Sequence, residues 1–143
     1  MRSNTAQAAS FDEQPTVAEL LRRSALSDPA STVRLLVEIG LSDEDIATAV
    51  GVTERSVRRW RAGEGERAPL LRKWRAVDDL RTIVLILAED GSLPLEGIVY
   101  WLRARNRRLD DRRPLDVLCL GEFENVRDAV LSLIDPEGRS DVG

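Results

Sequence analysis

The chain has 143 residues, 32% of them charged, with a net charge of −4 and no histidine. This length fits one compact domain or two small helical ones. The negative net charge argues against a protein that coats nucleic acid without selectivity. The absence of histidine removes the commonest general base and zinc ligand. We therefore expect no catalytic activity, no metal and no cofactor.

Two further features of the composition bear on cellular location. Residues 1–14 lack the apolar stretch of a signal peptide, and no apolar run reaches the roughly 18 residues that span a membrane. The single cysteine, Cys119, can form no disulfide within the chain, and its apolar neighbours predict a buried side chain. We expect a cytoplasmic protein that does not bind membranes.

Two short helices are predicted in the first 40 residues. Thr16 is a helix-capping residue, and the apolar positions that follow it predict a helix to about Ala25. Ser31 or Thr32 starts a second helix, which Gly40 ends. Both helices precede a segment with a more specific pattern.

Residues 41–61, LSDEDIATAVGVTERSVRRWR, predict a helix-turn-helix. Ser42 caps the first helix, and three acidic residues follow in its first turn, where helix N-termini favour negative charge. Gly51 allows the chain to turn in a left-handed conformation, and Thr53 caps the second helix. These signals coincide at the spacing that the motif requires.

The second helix of this motif has an apolar face and a basic face. Val57 and Trp60 are three residues apart and point back to the first helix, where small Ala47 allows a close crossing. Arginine can pair with guanine edges or clamp phosphates, so we predict a DNA-binding surface. An ordinary two-helix corner with solvated arginines is the alternative. The predicted DNA-binding residues are Thr53, Glu54, Arg55, Ser56, Arg58, Arg59 and Arg61.

A long helix follows, with Pro69 in its first turn and Asp90-Gly91 at its end. Residues 82–88, TIVLILA, are apolar nearly all round, and such a helix must be buried on all sides. In so small a chain we predict that a second copy covers it in a homodimer. A central core helix within one copy is the alternative. A buried strand is a third reading, but no second strand-like run exists to pair with it.

The last third of the chain also predicts helices. Pro94 opens a helix over about residues 95–107, with Arg105 near the middle of its apolar face. Pro114 begins a short helix that Gly121 ends, and a final helix covers about residues 123–134. The fold class is therefore all-α, with an N-terminal helix-turn-helix bundle followed by a small helical module.

The spacing of residues in this last third matches a known pattern. Residues 101–109 read WLRARNRRL, residues 112–118 read RRPLDVL, and Gly121-Glu122 follow. The order resembles the C-terminal domain of the Xre/MbcA/ParS antitoxin family, whose members carry a helix-turn-helix in front of it. The resemblance covers about residues 35–134. In one departure, Asp110-Asp111 stand where the family often has a pair of glycines.

The resemblance implies a type II antitoxin paired with a RES-domain toxin, an enzyme that consumes NAD⁺. In such pairs the C-terminal module covers the toxin's active-site cleft, and the N-terminal half binds the operon's own promoter as an autorepressor. Arg and Trp are favoured at interfaces, and guanidinium groups suit a cleft that holds a pyrophosphate. A stand-alone transcription regulator whose C-terminal half only dimerises is the alternative. The expected toxin-binding residues are Trp101, Arg105, Asn106, Arg108, Arg112, Arg113 and Glu122.

Charge is unevenly placed along the chain, which suits a protein with two kinds of partner. Residues 53–76 hold eight Arg or Lys against three Glu, and residues 101–113 hold six Arg against two Asp.

The expected partners are a cognate toxin, operator DNA and a second copy. The expected regions are a disordered tail (1–14), a helix-turn-helix DNA-binding region (15–67), a linking and dimerisation helix (68–91), a toxin-binding domain (92–135) and a flexible tail (136–143).

Overall fold

A computed structural model gives the fold and describes residues 16–24, 29–63 and 71–136. These residues form eight α-helices and one 3₁₀-helix, with no strand among them, so the all-α fold class is confirmed. No helix in these parts of the chain is both long and apolar enough to cross a membrane. The predicted tail at 1–14, most of the predicted tail at 136–143, and Pro69 lie outside the described residues. The helices are α1 (Val17–Ser24), α2 (Pro29–Glu38), α3 (Asp43–Val50), α4 (Glu54–Arg61), α5 (Leu71–Glu89), α6 (Leu95–Arg103), the 3₁₀-helix (Arg107–Leu109), α7 (Pro114–Cys119) and α8 (Phe123–Ile134).

The first two helices begin at different kinds of signal. At α1 the Thr16 hydroxyl accepts a hydrogen bond from the Glu19 amide at 3.1 Å, and the Glu19 carboxylate accepts one from the Thr16 amide at 3.3 Å. The cap predicted at Thr16 is thus present. The predicted start of α2 at Ser31 or Thr32 is wrong, because the helix begins at Pro29. Proline suits a first helical turn, since its missing N–H has no partner there.

Helix α5 is the centre of the fold and contacts α1, α2, α3, α6, α7 and α8. Ile83, Val84 and Leu87 have no exposed surface, and Leu85 and Ile86 are half-buried. The apolar run that was expected to need a second copy is therefore covered within one chain. The structure agrees with the alternative of a central core helix within one copy. The homodimer remains a prediction, but the burial of this apolar run no longer supports it.

The helix-turn-helix and the C-terminal helices share one hydrophobic core. Helix α3 packs along α7, and a side chain added at Gly51, at the end of α3, would lie 3.6 Å from Sγ of Cys119, at the end of α7. Arg103, the last residue of α6, binds Asp45 in the first turn of α3. The described parts of the predicted regions 15–67 and 92–135 are thus in direct contact.

Helix α6 ends earlier than the sequence predicted. Its last residue is Arg103, and Ala104 is extended, with φ −85° and ψ 149°. The chain leaves the helix because Asn106 forms an antiparallel bridge with Arg112, which requires extended backbone. The placement of Arg105 on the apolar face of this helix is therefore wrong, because Arg105 lies beyond the helix.

The prediction that Cys119 is buried is also wrong, because its side chain is exposed at the end of α7. Leu115 and Leu118, three residues apart, direct one face of this short helix into the core. Cys119 comes four residues after Leu115 and so lies near the same face, but it is the last residue of α7 and is followed by exposed Leu120. The thiol is therefore exposed because α7 ends there, which its apolar neighbours in sequence did not indicate.

Candidate functional site

The first helix of the predicted helix-turn-helix, α3, has well-defined ends. The Ser42 hydroxyl accepts from the Asp45 amide at 3.0 Å, and the Asp45 carboxylate accepts from the Ser42 amide at 2.9 Å. This reciprocal cap satisfies two of the amides that a helix N-terminus leaves unpaired. At the other end Gly51 is left-handed, with φ 82° and ψ 39°, and its amide donates to the Ala47 carbonyl at 2.8 Å. The predicted cap and turn are both present.

The second helix, α4, is held by a cap and by its apolar face. The Thr53 hydroxyl accepts from the Ser56 amide at 3.1 Å and donates to the Ser56 hydroxyl at 3.2 Å. Val57 is fully buried, and Trp60 is 8% exposed. These contacts fix the rotation of α4, so its opposite face must point outward. Thr53 and Ser56 are both predicted DNA contacts, and both are engaged in the cap of α4.

The outward face of α4 carries Glu54, Arg55, Arg58 and Arg59, all exposed. Arg58 forms an ion pair with Glu54 at 3.6 Å, one helical turn away. Arg55 and Arg59 make no ion pair with any described residue, and they share one side of the helix because they are four positions apart. This surface presents two guanidinium groups that are available to a phosphate or a base edge.

Arg61, also predicted to contact DNA, is engaged inside the motif. Its guanidinium donates from Nε and Nη2 to the two carboxylate oxygens of Asp43 at 3.1 and 2.8 Å. Its carbonyl accepts from Nη1 of Arg34 on α2 at 3.0 Å. These bonds join the end of α4 to the start of α3 and to α2. Arg61 therefore stabilises the crossing of the helices that presents Arg55 and Arg59.

The second predicted surface is a loop, residues 104–113, that we call the arginine loop. Its two ends pair through the amide of Asn106 and the carbonyl of Arg112 at 3.0 Å. The Asn106 side chain accepts from the Arg108 amide at 2.9 Å and so begins the 3₁₀-helix. Leu109 is 2% exposed and anchors the loop in the core. The loop has a defined conformation that the motif residues themselves produce.

Asp110 and Asp111 occupy the tight turn of this loop. Both are left-handed, with φ angles of 60° and 62°. Glycine adopts this region without strain, and aspartate is among the few other residues that tolerate it. The departure from the family's glycine pair therefore falls on residues that adopt the conformation glycine favours, and the turn is retained.

Three of the predicted toxin-binding residues connect the loop to α7 and α8. Arg112 Nη2 lies 3.4 Å from Glu122 Oε1, and Arg113 donates from Nε and Nη2 to the two Asp116 oxygens at 2.8 and 2.9 Å. The hydrogen bonds from Arg113 lower the pKa of Asp116 below its ordinary value, in spite of the opposite effect of burial. Arg112, Arg113 and Glu122 thus have structural partners within the chain.

The remaining predicted residues of this surface differ in how they are placed. Trp101 is half-buried against the core, and Arg105 is exposed but donates to the Asp111 carbonyl at 3.0 Å. The side chains of Arg107 and Arg108 are exposed and make no ion pair with any described residue. These two adjacent guanidinium groups are the unpaired cations of the arginine loop.

An ion pair links the two candidate surfaces. Arg103, just before the arginine loop, donates from Nη2 to Asp45 Oδ2 at 2.6 Å and from Nε at 3.1 Å. Burial alone raises the pKa of Asp45, but the hydrogen bonds from Arg103 and Ser42 together outweigh burial, so this pKa lies below its ordinary value. Asp45 therefore caps the helix-turn-helix and holds the C-terminal helices against it.

Sequence reasoning missed an apolar groove of about 650 Å³ between α6 and the turn after α2. Leu95, Val99 and Tyr100 line one side, and Ile39 and Gly40 line the other. Tyr100 is 73% exposed and is the only tyrosine in the chain. It lies outside the apolar stripe of α6, between Val99 and Trp101 in sequence, and the groove joins it to Ile39 and Gly40 far away in the chain, so no local pattern indicated the groove.

Comparisons with known proteins agree with this geometry. Residues 30–72, which include the helix-turn-helix, match the Homeodomain-like domain. The probable mycobacterial cidal antitoxin Rv3188 of Mycobacterium tuberculosis is 35% identical over 108 residues, or 76% of this chain and 89% of that protein. The mycobacterial cidal antitoxin MbcA of Mycobacterium bovis is 36% identical over 107 residues, or 74% of this chain and 88% of that protein. The chain belongs to the MbcA family of antitoxins.

A solved structure supports the same assignment for this antitoxin. One chain of the M. tuberculosis MbcT-MbcA toxin-antitoxin complex is similar with a TM-score of 0.61 and 32% identity, covering 76% of this chain and 95% of that one. The antitoxin resemblance that the sequence pattern indicated is confirmed. The roles predicted for individual residues stay predictions.

Proposed function

We propose that this antitoxin neutralises a cognate RES-domain, NAD⁺-degrading toxin by covering its active site, and that it represses its own operon by binding promoter DNA. The observation that carries the proposal is the similarity to cidal antitoxins over about three quarters of the chain, including a relative solved in a toxin-antitoxin complex. In this proposal the antitoxin acts by steric occlusion and has no catalytic role of its own.

The DNA-binding half of the proposal is supported by the outward face of α4. Arg55 and Arg59 are exposed and unpaired among the described residues, on a helix whose other face is fixed by Val57 and Trp60. A recognition helix held this way can enter a major groove with its N-terminal residues on base edges. If two copies bind together, their recognition helices would read half-sites about 34 Å apart on the duplex.

The toxin-binding half is supported by the arginine loop. Asn106, Arg112 and Glu122 define its shape, and Arg107 and Arg108 project unpaired from it. An enzyme cleft that binds NAD⁺ must accommodate a pyrophosphate, and guanidinium groups bind such anion sites well. We therefore propose that the loop is the element that enters or covers the toxin's cleft.

The test is co-expression of the full-length antitoxin with the product of the neighbouring gene, with co-purification and cellular NAD⁺ as readouts. We expect the wild-type chain to co-purify and to prevent NAD⁺ loss. The variant Arg107→Ala/Arg108→Ala should lose most of this protection. The matched control Arg55→Ala/Arg59→Ala removes the same charge from exposed positions on α4 that also make no ion pair with a described residue, and should protect like the wild type.

The full-length chain is required because α7 packs along α3, so a C-terminal fragment would lose part of its core. If the wild-type chain binds its promoter but neither binds the neighbouring product nor preserves NAD⁺, the toxin-binding proposal is wrong. The protein would then be a stand-alone regulator whose C-terminal helices complete the fold. If the loop variant protects as well as the control, the cleft is covered by another surface.

A further inference from the structure

A second depression, of about 570 Å³, lies beside the turn of the helix-turn-helix. Val50 and Gly51 form one wall, the exposed end of α7 at Cys119 forms another, and Lys73 and Arg75 of α5 stand opposite. Arg75 is exposed and Lys73 is half-buried, and neither forms an ion pair with a described residue. The depression therefore brings two free cations of α5 to the same end of the molecule as the turn.

We propose that Lys73 and Arg75 contact the phosphate backbone of the DNA that α4 reads. Gly51 is two residues before Thr53, which caps α4, so the depression lies near the N-terminal end of that helix. In the helix-turn-helix docking mode this end lies over the base edges. Cations beside it face the sugar-phosphate strand at the rim of the groove. The inference rests on the DNA-binding half of the proposed function.

The chemistry of the patch fits phosphate better than bases. A lysine ammonium group is a compact point charge, and an arginine reached from outside the groove can clamp a phosphate. Such contacts raise affinity for any duplex and position the protein, whereas base contacts carry the sequence preference. Lys73 and Arg75 should therefore contribute to affinity and not to selectivity.

One carboxylate among the described lining residues opposes this use of the patch. Asp79 lies one helical turn beyond Arg75 and lines the same depression. Burial and the neighbouring charge of Asp78 raise the pKa of Asp79, whereas Arg75 lowers it. The carboxylate remains a source of negative charge beside the proposed phosphate position. Its removal should therefore act in the direction opposite to removal of the cations.

The experiment compares full-length variants by fluorescence anisotropy on a promoter duplex and on an unrelated duplex, over a range of salt concentrations. For Lys73→Ala/Arg75→Ala we expect about a 10-fold loss of affinity for both duplexes and an unchanged preference between them. The slope of log affinity against log salt should fall by about 1.8, or about 0.9 for each phosphate contact. Asp79→Asn should bind both duplexes more tightly than the wild type.

The control Arg22→Ala/Arg23→Ala removes the same charge far from the depression. Arg22 binds Glu89, the last residue of α5, whereas Lys73 and Arg75 lie near the first residue of that helix. If the α5 variant binds DNA like this control, or if it alters the preference between the duplexes, the inference is wrong. It is also wrong if DNA binding is unchanged and only toxin binding weakens.

Arg55→Ala/Arg59→Ala separates this result from failure of the proposed function. If that variant loses promoter binding while Lys73→Ala/Arg75→Ala does not, only the present inference fails. If it binds the promoter like the wild type, the placement of α4 on DNA is wrong, and the α5 contacts derived from that placement are overturned with it.

Discussion

Helix α4 and the arginine loop are both rich in arginine, but they use it differently. In α4 the backbone is held by helical hydrogen bonds and by the cap at Thr53, so Arg55 and Arg59 remain free. In the loop the backbone turns on itself through hydrogen bonds between residues 106 and 112, and arginine side chains bond to two of the loop's carbonyls as well. Arg105 donates to the Asp111 carbonyl, and Arg112 donates to the Leu109 carbonyl.

The difference shows that arginine content alone does not identify a binding surface. An arginine on a regular helix can be removed with little effect on folding, so its loss reports on binding. An arginine that completes a loop stabilises the fold as well, so its loss changes both properties. Comparing substitutions in the two regions should separate these roles.

The largest effect is expected where α4 contacts the core. Trp60→Ala should lower the free energy of unfolding by roughly 3–5 kcal/mol, because it removes a large buried side chain and leaves a cavity. Urea denaturation measures this change. An unchanged transition midpoint would mean that Trp60 does not hold α4 on the fold, and that the outward face of α4 is not fixed as described.

The next largest effect concerns the outward face of the same helix. Arg55→Ala/Arg59→Ala should weaken promoter binding by about 100-fold, because each specific contact contributes roughly 1–3 kcal/mol. Its free energy of unfolding should change by less than about 0.5 kcal/mol, since both side chains are exposed. Anisotropy and urea titrations on one preparation measure both quantities. Arg107→Ala/Arg108→Ala is the matched control and should leave promoter binding intact.

In the arginine loop a single substitution should change two properties at once. Arg112→Ala removes bonds to the Leu109 carbonyl and to Glu122, and should cost about 1 kcal/mol of folding stability. It should also weaken toxin co-purification, because the loop loses its shape, while promoter binding stays unchanged. If toxin binding falls and stability does not, Arg112 contacts the toxin directly and its role in the loop is secondary.

The comparison also explains which features the sequence could predict. The caps at Ser42 and Thr53 and the turn at Gly51 depend on neighbours within a few residues, and all three are present as predicted. The features that sequence reasoning missed depend on contacts that reach beyond a single helical turn. The bridge from Asn106 to Arg112 ends α6, and six other helices cover α5. Hydrophobic periodicity measures how much burial a helix needs but does not say what supplies it.

The residues of the candidate site fall into the same two groups, those placed by their neighbours in sequence and those placed by contacts between elements. The outward positions of α4 follow from helical period, and the structure exposes Glu54, Arg55, Arg58 and Arg59. The pairing of Arg61 with Asp43 could not be predicted, because it joins residues 18 positions apart through the crossing of two helices. The loop residues matched a family pattern, but their bonds show that much of this pattern specifies the loop's own conformation.

The smallest effect is expected at the ion pair between the two regions. The pKa of Asp45 is lowered in the folded chain, so its carboxylate stabilises the fold above the pKa of the unfolded chain, and this stability is lost as pH falls through the folded pKa. As pH falls below about 4, the ordinary range of an aspartate pKa, the wild type should therefore lose more stability than Asp45→Asn does. The difference should not exceed about 1 kcal/mol, because the Arg103 side chain is 46% exposed and solvent screens the pair.

Thermal unfolding of both proteins at several pH values and low salt measures this difference. Asp116→Asn is a useful second variant. The pKa of the Asp116 carboxylate is also lowered, but its partner is Arg113, the last residue of the arginine loop, so it makes no link to the helix-turn-helix through this ion pair. If Asp45→Asn changes promoter affinity and Asp116→Asn does not, the pair with Arg103 positions the helix-turn-helix. Equal acid sensitivity of the wild type and Asp45→Asn would mean that packing of α3 on α7 alone joins the two regions.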